Sequence, residues 1–220
     1  RALYGDTISE TIMPDGALRV VDNGRGIPVD EHPIEKISTV EVVLTILHAG
    51  GKFGGGGYSV SGGLHGVGSS VVNALSYTLD VEVHREGHVW TQHYDNGVPA
   101  APLAKAGTSD RTGTTIMFRP NSDIFETVDF SFETLRQRFQ QMTFLNKGLT
   151  ITLKDERPTA TEEQAAGATY LYTQGLVDYV QYLNSAKKMD IVHEEIISFE
   201  SEDTDRKIAL EVAMQWTTAY

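Results

Sequence analysis

Apolar positions recur along this chain with two spacings, and the switches between them divide it into elements. Thr7 to Met13 and Ala17 to Asp22 are rich in β-branched and aliphatic residues and flank Pro14-Asp15-Gly16, where Pro fixes φ and Gly accepts a positive one. They predict a hairpin. Thr78 to His84 and His88 to Tyr94 predict a second hairpin around Arg85-Glu86-Gly87, and Thr112 to Phe118 a further strand. Helical spacing takes over at Val40, Val43, Leu44 and Leu47, behind the capping-box pattern Ser38-Thr39-Val40-Glu41. It returns at Val71, Val72, Ala74 and Leu75, within roughly Gly68 to Ser76. Phe132, Leu135, Phe139 and Met142 mark a longer helix closed by Gly148, and Leu176, Val177, Val180 and Leu183 another after Gly175. Leu149 to Leu153 reads as a strand, Lys154 to Ala168 as a charged surface loop, and Lys207 to Trp216 as the last strand of a sheet continued outside the chain. Arg1 to Gly5 has the pattern of a helix's closing turn. Hairpin-linked strands with helices clustered early predict an α+β fold, helices on one face of a mixed, mostly antiparallel sheet.

Composition narrows the function. A formal net charge of −12 argues against this chain gripping a nucleic-acid backbone by itself, since that grip needs clustered Lys and Arg. The absence of cysteine removes disulfide and thiolate-metal chemistry and fits a reducing cytoplasm. No apolar run reaches membrane-spanning length, so the chain reads as soluble, with no membrane partner. Its histidines and acids fall in no H-E-x-x-H spacing, and no G-x-S-x-G elbow is present.

Ten of the 21 glycines lie between Gly50 and Gly68. The stretch fails the Walker pattern, because Phe53 follows Gly51-Lys52 and Ile46 stands where the first Gly belongs; it also fails the dinucleotide pattern, because Gly66-Val67-Gly68 continues as Ser69-Ser70-Val71. Gly54 to Gly57 alone reads as a flexible linker. Gly62 to Gly68 differs, since Leu64 and Val67 interleave with the glycines and a linker has no use for them. Amides of that loop, delivered onto a helix start, could hold a triphosphate, each favourable charge there contributing roughly 0.3–2 kcal/mol. Lys52 could add its charge or remain a solvated lysine.

Asp22 ends an apolar strand just before a glycine turn. Taken alone it reads as a turn former. Beside a phosphate loop it reads as a carboxylate that could accept from an exocyclic amine, a polar contact that discriminates steeply.

Four segments, Asp22 to Pro28, His48 to Phe53, Ser61 to Ser76 and Arg111 to Thr114, together resemble the ATPase domain of the bacterial gyrase-B family, with the topoisomerase IV B subunits as the close alternative and another GHKL nucleotide-binding module as a more remote one. The resemblance implies the Bergerat (GHKL) two-layer α/β sandwich, with residues 1–200 as the ATP-binding domain and 201–220 as the start of a transducer domain. It implies that Asp22 accepts from the adenine amino group with Thr114 assisting through water, and that Gly26, Ile27, Pro28, Val71 and Ile116 line the adenine pocket. Arg25 and Arg85 would flank the mouth, where ATP-competitive inhibitors bind. Lys52 would face the phosphates, Tyr58 would lie in a lid that includes Gly54 to Gly57, and Gly63, Leu64, His65, Gly66, Val67 and Gly68 would supply phosphate contacts. ATP and Mg2+ are the implied cofactors; the gyrase A protein, DNA and a second copy of the domain are the implied partners. The family's catalytic glutamate and magnesium-holding asparagine lie upstream of the segment resembling Ala2 to Gly5, from which Arg1 departs, so the expectation is a chain that binds nucleotide or inhibitor better than it hydrolyses ATP.

Overall fold

The computed structural model describes residues 5–47, 67–188, 190–206 and 208–218. The chain divides into two compact units, Arg1–Phe132 with Thr152–Ala168, and Glu133–Ile151 with Thr169–Tyr220.

The first unit is built on strands β1 (Thr7–Ile12) and β2 (Leu18–Asp22), joined as predicted around Gly16, whose φ is +85°. Helices α1 (Thr39–Thr45) and α2 (Gly68–Ala74) follow. Strands β3 (Ser76–Arg85), β4 (His88–Asp95), β5 (Val98–Pro99), β6 (Ala104–Thr108) and β7 (Gly113–Pro120) complete the middle of the sheet. After α3 (Phe132–Leu145) come β8 (Thr150–Asp155) and β9 (Ala168–Leu171), giving the order β5-β4-β3-β7-β2-β1-β8-β9 with β6 also paired to β4. The registers of β1 through β7 are antiparallel. Alternation along the strands puts Leu79, Val81 and Val83 of β3 and Tyr94 of β4 on one face, where they pack with Val40 and Leu44 of α1 and with Val29. Ile27, Val72, Ile116 and Phe118 close around this core. Helices therefore cover one face of the sheet, as the α+β reading expects.

The residues that end and join these elements explain where they stop. Ser38 caps α1 by accepting from Glu41 N at 3.2 Å, while the Glu41 carboxylate accepts from Gln92 Nε2 at 2.6 Å. Half of the expected capping box is thus redirected to tie α1 to β4, and Tyr94, fully buried, donates to Gln92 Oε1 at 2.7 Å. The helix ends at Thr45, leaving Leu47 exposed beyond it. Residues 154–168, expected to form a loop, contain the end of β8 and a short helix α4 (Glu162–Ala166) with a complete capping box between Thr161 and Gln164.

In the second unit Phe144 of α3 is 1 % exposed and stacks on Tyr172 and Tyr179, with ring centroids 3.8 and 4.8 Å away. Tyr172 follows β9 (Ala168–Leu171), and Tyr179 lies on α5 (Leu176–Ala186). Strands β10 (Ile197–Asp203) and β11 (Ile208–Met214) pair antiparallel as a ribbon. Within the chain, the last strand's partner is β10.

Candidate functional site

The register gathers the candidate residues on the covered face of the first unit. Val20 pairs with Ile116 and Ile116 with Val81; Thr114 pairs with Val83. Asp22 stands two residues beyond Val20 and Thr114 two before Ile116, so alternation puts both on the face that holds the core. The chain then leaves β2 through Asn23 to Pro28, and the geometry of that exit is closely specified.

Asp22 Oδ1 accepts from Gly24 N at 2.7 Å, an Asx turn that fixes the carboxylate. Among the described residues no hydrogen bond to Oδ2 is formed. Asn23 locks the turn from the other side: its Oδ1 accepts from Asp6 N and Thr7 N, both at 3.0 Å, and its Nδ2 donates to Asp6 Oδ1 at 2.8 Å. The bond from Asn23, with help from Thr7, holds the Asp6 carboxyl below its ordinary range. Gly113, at φ +142°, lies so close that a Cβ there would sit 2.2 Å from Asp22 O. Gly26, at φ +77°, would place a Cβ 2.8 Å from His84 O and 3.2 Å from Gly113 O. Two glycines thus let three backbone segments converge beside one carboxylate.

Side chains finish the wall. Thr114, 7 % exposed, accepts from Ile27 N at 3.3 Å, which leaves its hydroxyl hydrogen to donate elsewhere. Ile27, Ile116 and Val72 are partly buried and apolar. Arg85 Nη1 donates to Arg25 O at 3.3 Å and to Gly26 O at 3.0 Å, so Arg85 braces the turn at the edge of which Arg25 stands. His84 is buried with its ring against Ser109 Oγ at 2.7 Å, Glu82 Oε1 at 2.7 Å and Arg111 Nη2 at 2.8 Å, a cluster that steadies the turn delivering Gly113. Farther across the sheet, Glu10 pairs with Val20 and is only 8 % exposed; burial pushes its carboxyl up to about 7.

The structure brings Asp22, Gly26, Ile27, Thr114, Ile116 and Arg85 together, with Pro28 following Ile27 and Arg25 at the edge. Val67 and Gly68 stand at the start of α2, Val67 in the αR region with no side-chain cap. Val71 is 38 % exposed and, with Val72, lines a groove of about 260 Å³ beside Phe118 and Phe130. Lys52, Tyr58, Gly63, Leu64, His65 and Gly66 lie outside the described residues, as do Gly54 to Gly57. No group of three or more His, Cys, Asp or Glu able to hold a metal ion occurs among the described residues.

Asn23, Gly113 and Asn73 have structural roles that sequence reasoning missed. Asn73 carried the clearest signal, a lone amide among Val71, Val72, Ala74 and Leu75.

A site of this shape can take a flat ring that offers an amine hydrogen to Asp22 Oδ2 and an acceptor to Thr114, over an aliphatic floor. Comparison with known proteins points the same way. Residues 3–124 match the family model for histidine kinase-, DNA gyrase B-, and HSP90-like ATPases. The chain is 53 % identical over 249 residues to the DNA gyrase B protein of Micrococcus luteus, covering 99 % of the chain and 35 % of that protein. It is 56 % identical over 229 residues to the DNA gyrase B protein of Streptomyces coelicolor, covering 99 % of the chain and 33 % of that protein. It spans about a third of the length of these relatives. Among solved structures, the 43K ATPase domain of Thermus thermophilus gyrase B in complex with an aminocoumarin superposes with a TM-score of 0.80 at 31 % identity, over 100 % of this chain and 53 % of that one.

Proposed function

Because the chain belongs to the histidine kinase-, DNA gyrase B-, and HSP90-like ATPase family, we propose that it is the adenine-nucleotide-binding part of a gyrase B protein. The observation that carries this is the half-used Asp22 carboxylate: Oδ1 is committed to Gly24 N, and Oδ2 is left on the covered face that also holds Thr114. Adenine offers that oxygen an amine hydrogen at C6. Guanine offers a carbonyl oxygen at the same place, and two acceptors facing each other in a poorly hydrated pocket are strongly unfavourable. Thr114, whose hydroxyl hydrogen is uncommitted, supplies the complementary donor, directly or through water.

Around this specificity pair, Gly26, Ile27, Pro28 and Ile116 sandwich the ring, Val71 extends the apolar wall, and Arg25 and Arg85 border the opening. Lys52, Tyr58 and the loop Gly63 to Gly68 take the phosphates, and Mg2+ enters with the triphosphate without a ligand assigned to it in this chain. The same pocket receives ATP-competitive inhibitors, a reading supported by the aminocoumarin in the similar Thermus thermophilus domain. In the whole protein, ATP binding dimerises two such domains, and the motion drives DNA strand passage and negative supercoiling in a cytoplasmic A2B2 assembly with the gyrase A protein. The identities to gyrase B proteins do not favour the topoisomerase IV alternative. Calorimetric titration of the chain with a magnesium complex of a non-hydrolysable ATP analogue tests the proposal. Saturable binding of the adenine nucleotide and none of its guanine counterpart at the same concentration is expected; equal binding of both, or of neither, refutes it.

A further inference from the structure

His84 is buried on β3 between the two turns that frame the ring-binding wall. A Cβ on Gly26 would come within 2.8 Å of its carbonyl oxygen, and its strand pairing is with Gly113. Alternation with Val83, which lies in the core, turns the imidazole to the opposite face of the sheet, away from any ligand on the covered one. There Nε2 meets contradictory partners, Glu82 Oε1 at 2.7 Å and Arg111 Nη2 at 2.8 Å. A carboxylate accepts and a guanidinium only donates, so one nitrogen cannot serve both. Carrying a hydrogen, Nε2 donates to Glu82 and faces a second donor in Arg111; bare, it accepts from Arg111. Nδ1 is already assigned, because Ser109 Oγ donates to Arg111 O at 3.2 Å and so accepts from Nδ1 at 2.7 Å. A hydrogen on Nε2 therefore makes the ring a cation.

The neighbouring strands bring no charge of their own to these positions. β4 places Val89 opposite His84 and Thr91 opposite Glu82, β7 places Gly113 and Thr115 there, and β6 reaches this face with Gly107 opposite Val89. Among the described residues the charged groups facing the ring are thus Glu82 and Arg111, with Asp110 exposed in the turn between Ser109 and Arg111. Arg111 stands just before the chain enters β7 at Gly113 and Thr114. While the imidazole is neutral, Arg111 is tied to β3 through a buried partner. Against the cation its remaining side-chain hold is Glu82 at 3.7 Å, a pair 56 % and 43 % exposed that solvent screens. Gly113 packs on Asp22 O and Thr114 accepts from Ile27 N, so a shift of this turn reaches both sides of the wall. We propose that His84 is a positioning residue for the ring-binding wall, holding the turn through Arg111 when neutral and releasing it when protonated. The inference rests on the nucleotide-binding reading above. Ring binding and the neutral imidazole then favour each other, so affinity is highest in mild alkali and falls as the pH is lowered.

Adenosine, which reaches only the ring-binding wall, is the probe. Calorimetry on the 220-residue chain should show it binding about fivefold more weakly at about pH 5.5 than at about pH 8. His84→Gln, whose amide can accept from Arg111 but takes up no charge, should vary less than about twofold over the same range. If that variant does not fold by circular dichroism, Arg111→Gln, at an exposed side chain, should flatten the profile in the same way. A flat wild-type profile, or a variant whose affinity still falls by more than that, overturns the positioning role. The second result would move the pH effect to another group, such as Glu10, whose carboxyl burial pushes up to about 7. The ligand-free chain gives a separate readout: in an NMR titration the Gly113 amide should follow the His84 ring, and should cease to do so in the variant. If adenosine binds and Gly113 does not follow His84, the positioning role alone fails. If wild type binds no adenosine at about pH 8, the nucleotide-binding reading fails first, and the positioning role fails with it.

Discussion

Two aspartates bracket strand β2, one in the turn before it and one at its end, and they use their carboxylates differently. Asp15, in the turn, spends both oxygens on the protein: Oδ1 accepts from Ala17 N at 3.1 Å, and Oδ2 accepts from Arg119 Nε and Nη2. Asp22 spends one among the described residues, on Gly24 N. Asp15 stands in solvent, half exposed, where an ion pair is satisfied and finished. Asp22 stands on a face that also holds Ile27, Thr114 and Ile116, beside glycines that keep the backbone close. On the proposed reading, a carboxylate whose hydrogen bonding is complete holds a fold together, whereas one left half-complete among the described residues, on an apolar wall, receives a ligand. By that measure the two ends of the same strand have separate duties, and each can be disturbed without the other.

The harshest disturbance targets the approach of the backbone to Asp22. Gly113→Ala would place a methyl group 2.2 Å from Asp22 O at a φ of +142°. The turn cannot absorb this without moving, and a cost above about 3 kcal/mol in stability is expected, read by urea denaturation, with nucleotide binding lost as well. Next comes the carboxylate itself. Asp22→Ala removes a charge-assisted hydrogen bond to the ring and is expected to cost roughly 1.5–3 kcal/mol of adenine-nucleotide affinity by calorimetry. An unchanged dissociation constant would remove Asp22 from the site.

Much of this end of the molecule was legible in the sequence because it is written in local rules. Pro14-Asp15-Gly16 announced a turn, the β-branched runs announced strands, and Asp22 beside Gly24 and Gly26 marked an exit that only glycine could take. The sheet order was not legible. Nothing local says that β7, far downstream in the chain, inserts between β2 and β3, yet that insertion is what brings Thr114 and Gly113 to Asp22. Strand β6 escaped because all of its residues, Ala104 to Thr108, are exposed and carry no alternation. Helix α4 had a readable signal, Thr161 followed three residues later by Gln164, but its charged, small residues bury nothing and so lack the apolar stripe that marks α1 or α3. Glu41 shows how tertiary partners override a local motif: the capping box was written in the sequence, and Gln92 took half of it.

Glu10 sharpens the contrast between the two aspartates by supplying a third acid that has no ion pair among the described residues and no ligand assigned to it. It is 8 % exposed, paired with Val20, and burial alone pushes its carboxyl up to about 7, above the 4.5 of an unperturbed glutamate. With the native pKa raised, the folded state binds more protons than the unfolded one between those values. Stability is therefore complete below about pH 4.5 and is lost as pH rises through about 7. Glu10→Gln is expected to stabilise the fold by about 2–3 kcal/mol at pH 8 and to change little at pH 5, measured as urea midpoints at the two values. A gain of the same size at both would show that desolvation of the charge is not the cause.

The smallest effect belongs to Asp15, and its smallness is the point of the comparison. Bonds from Arg119 and from Ala17 N hold its carboxyl below the ordinary range, so the pair stabilises the fold at neutral pH and is lost as pH falls through the depressed native pKa. Both side chains are substantially exposed, 35 % for Arg119 and 51 % for Asp15, so solvent screens most of the attraction. Asp15→Ala is expected to cost less than about 1 kcal/mol in urea denaturation at neutral pH, and less again in high salt. Nucleotide affinity should not move, because β2 carries the change no further than the turn. If Asp15→Ala weakens nucleotide binding as Asp22→Ala does, the two ends of β2 are coupled, and the count of free carboxylate oxygens no longer tells a receptor from a brace.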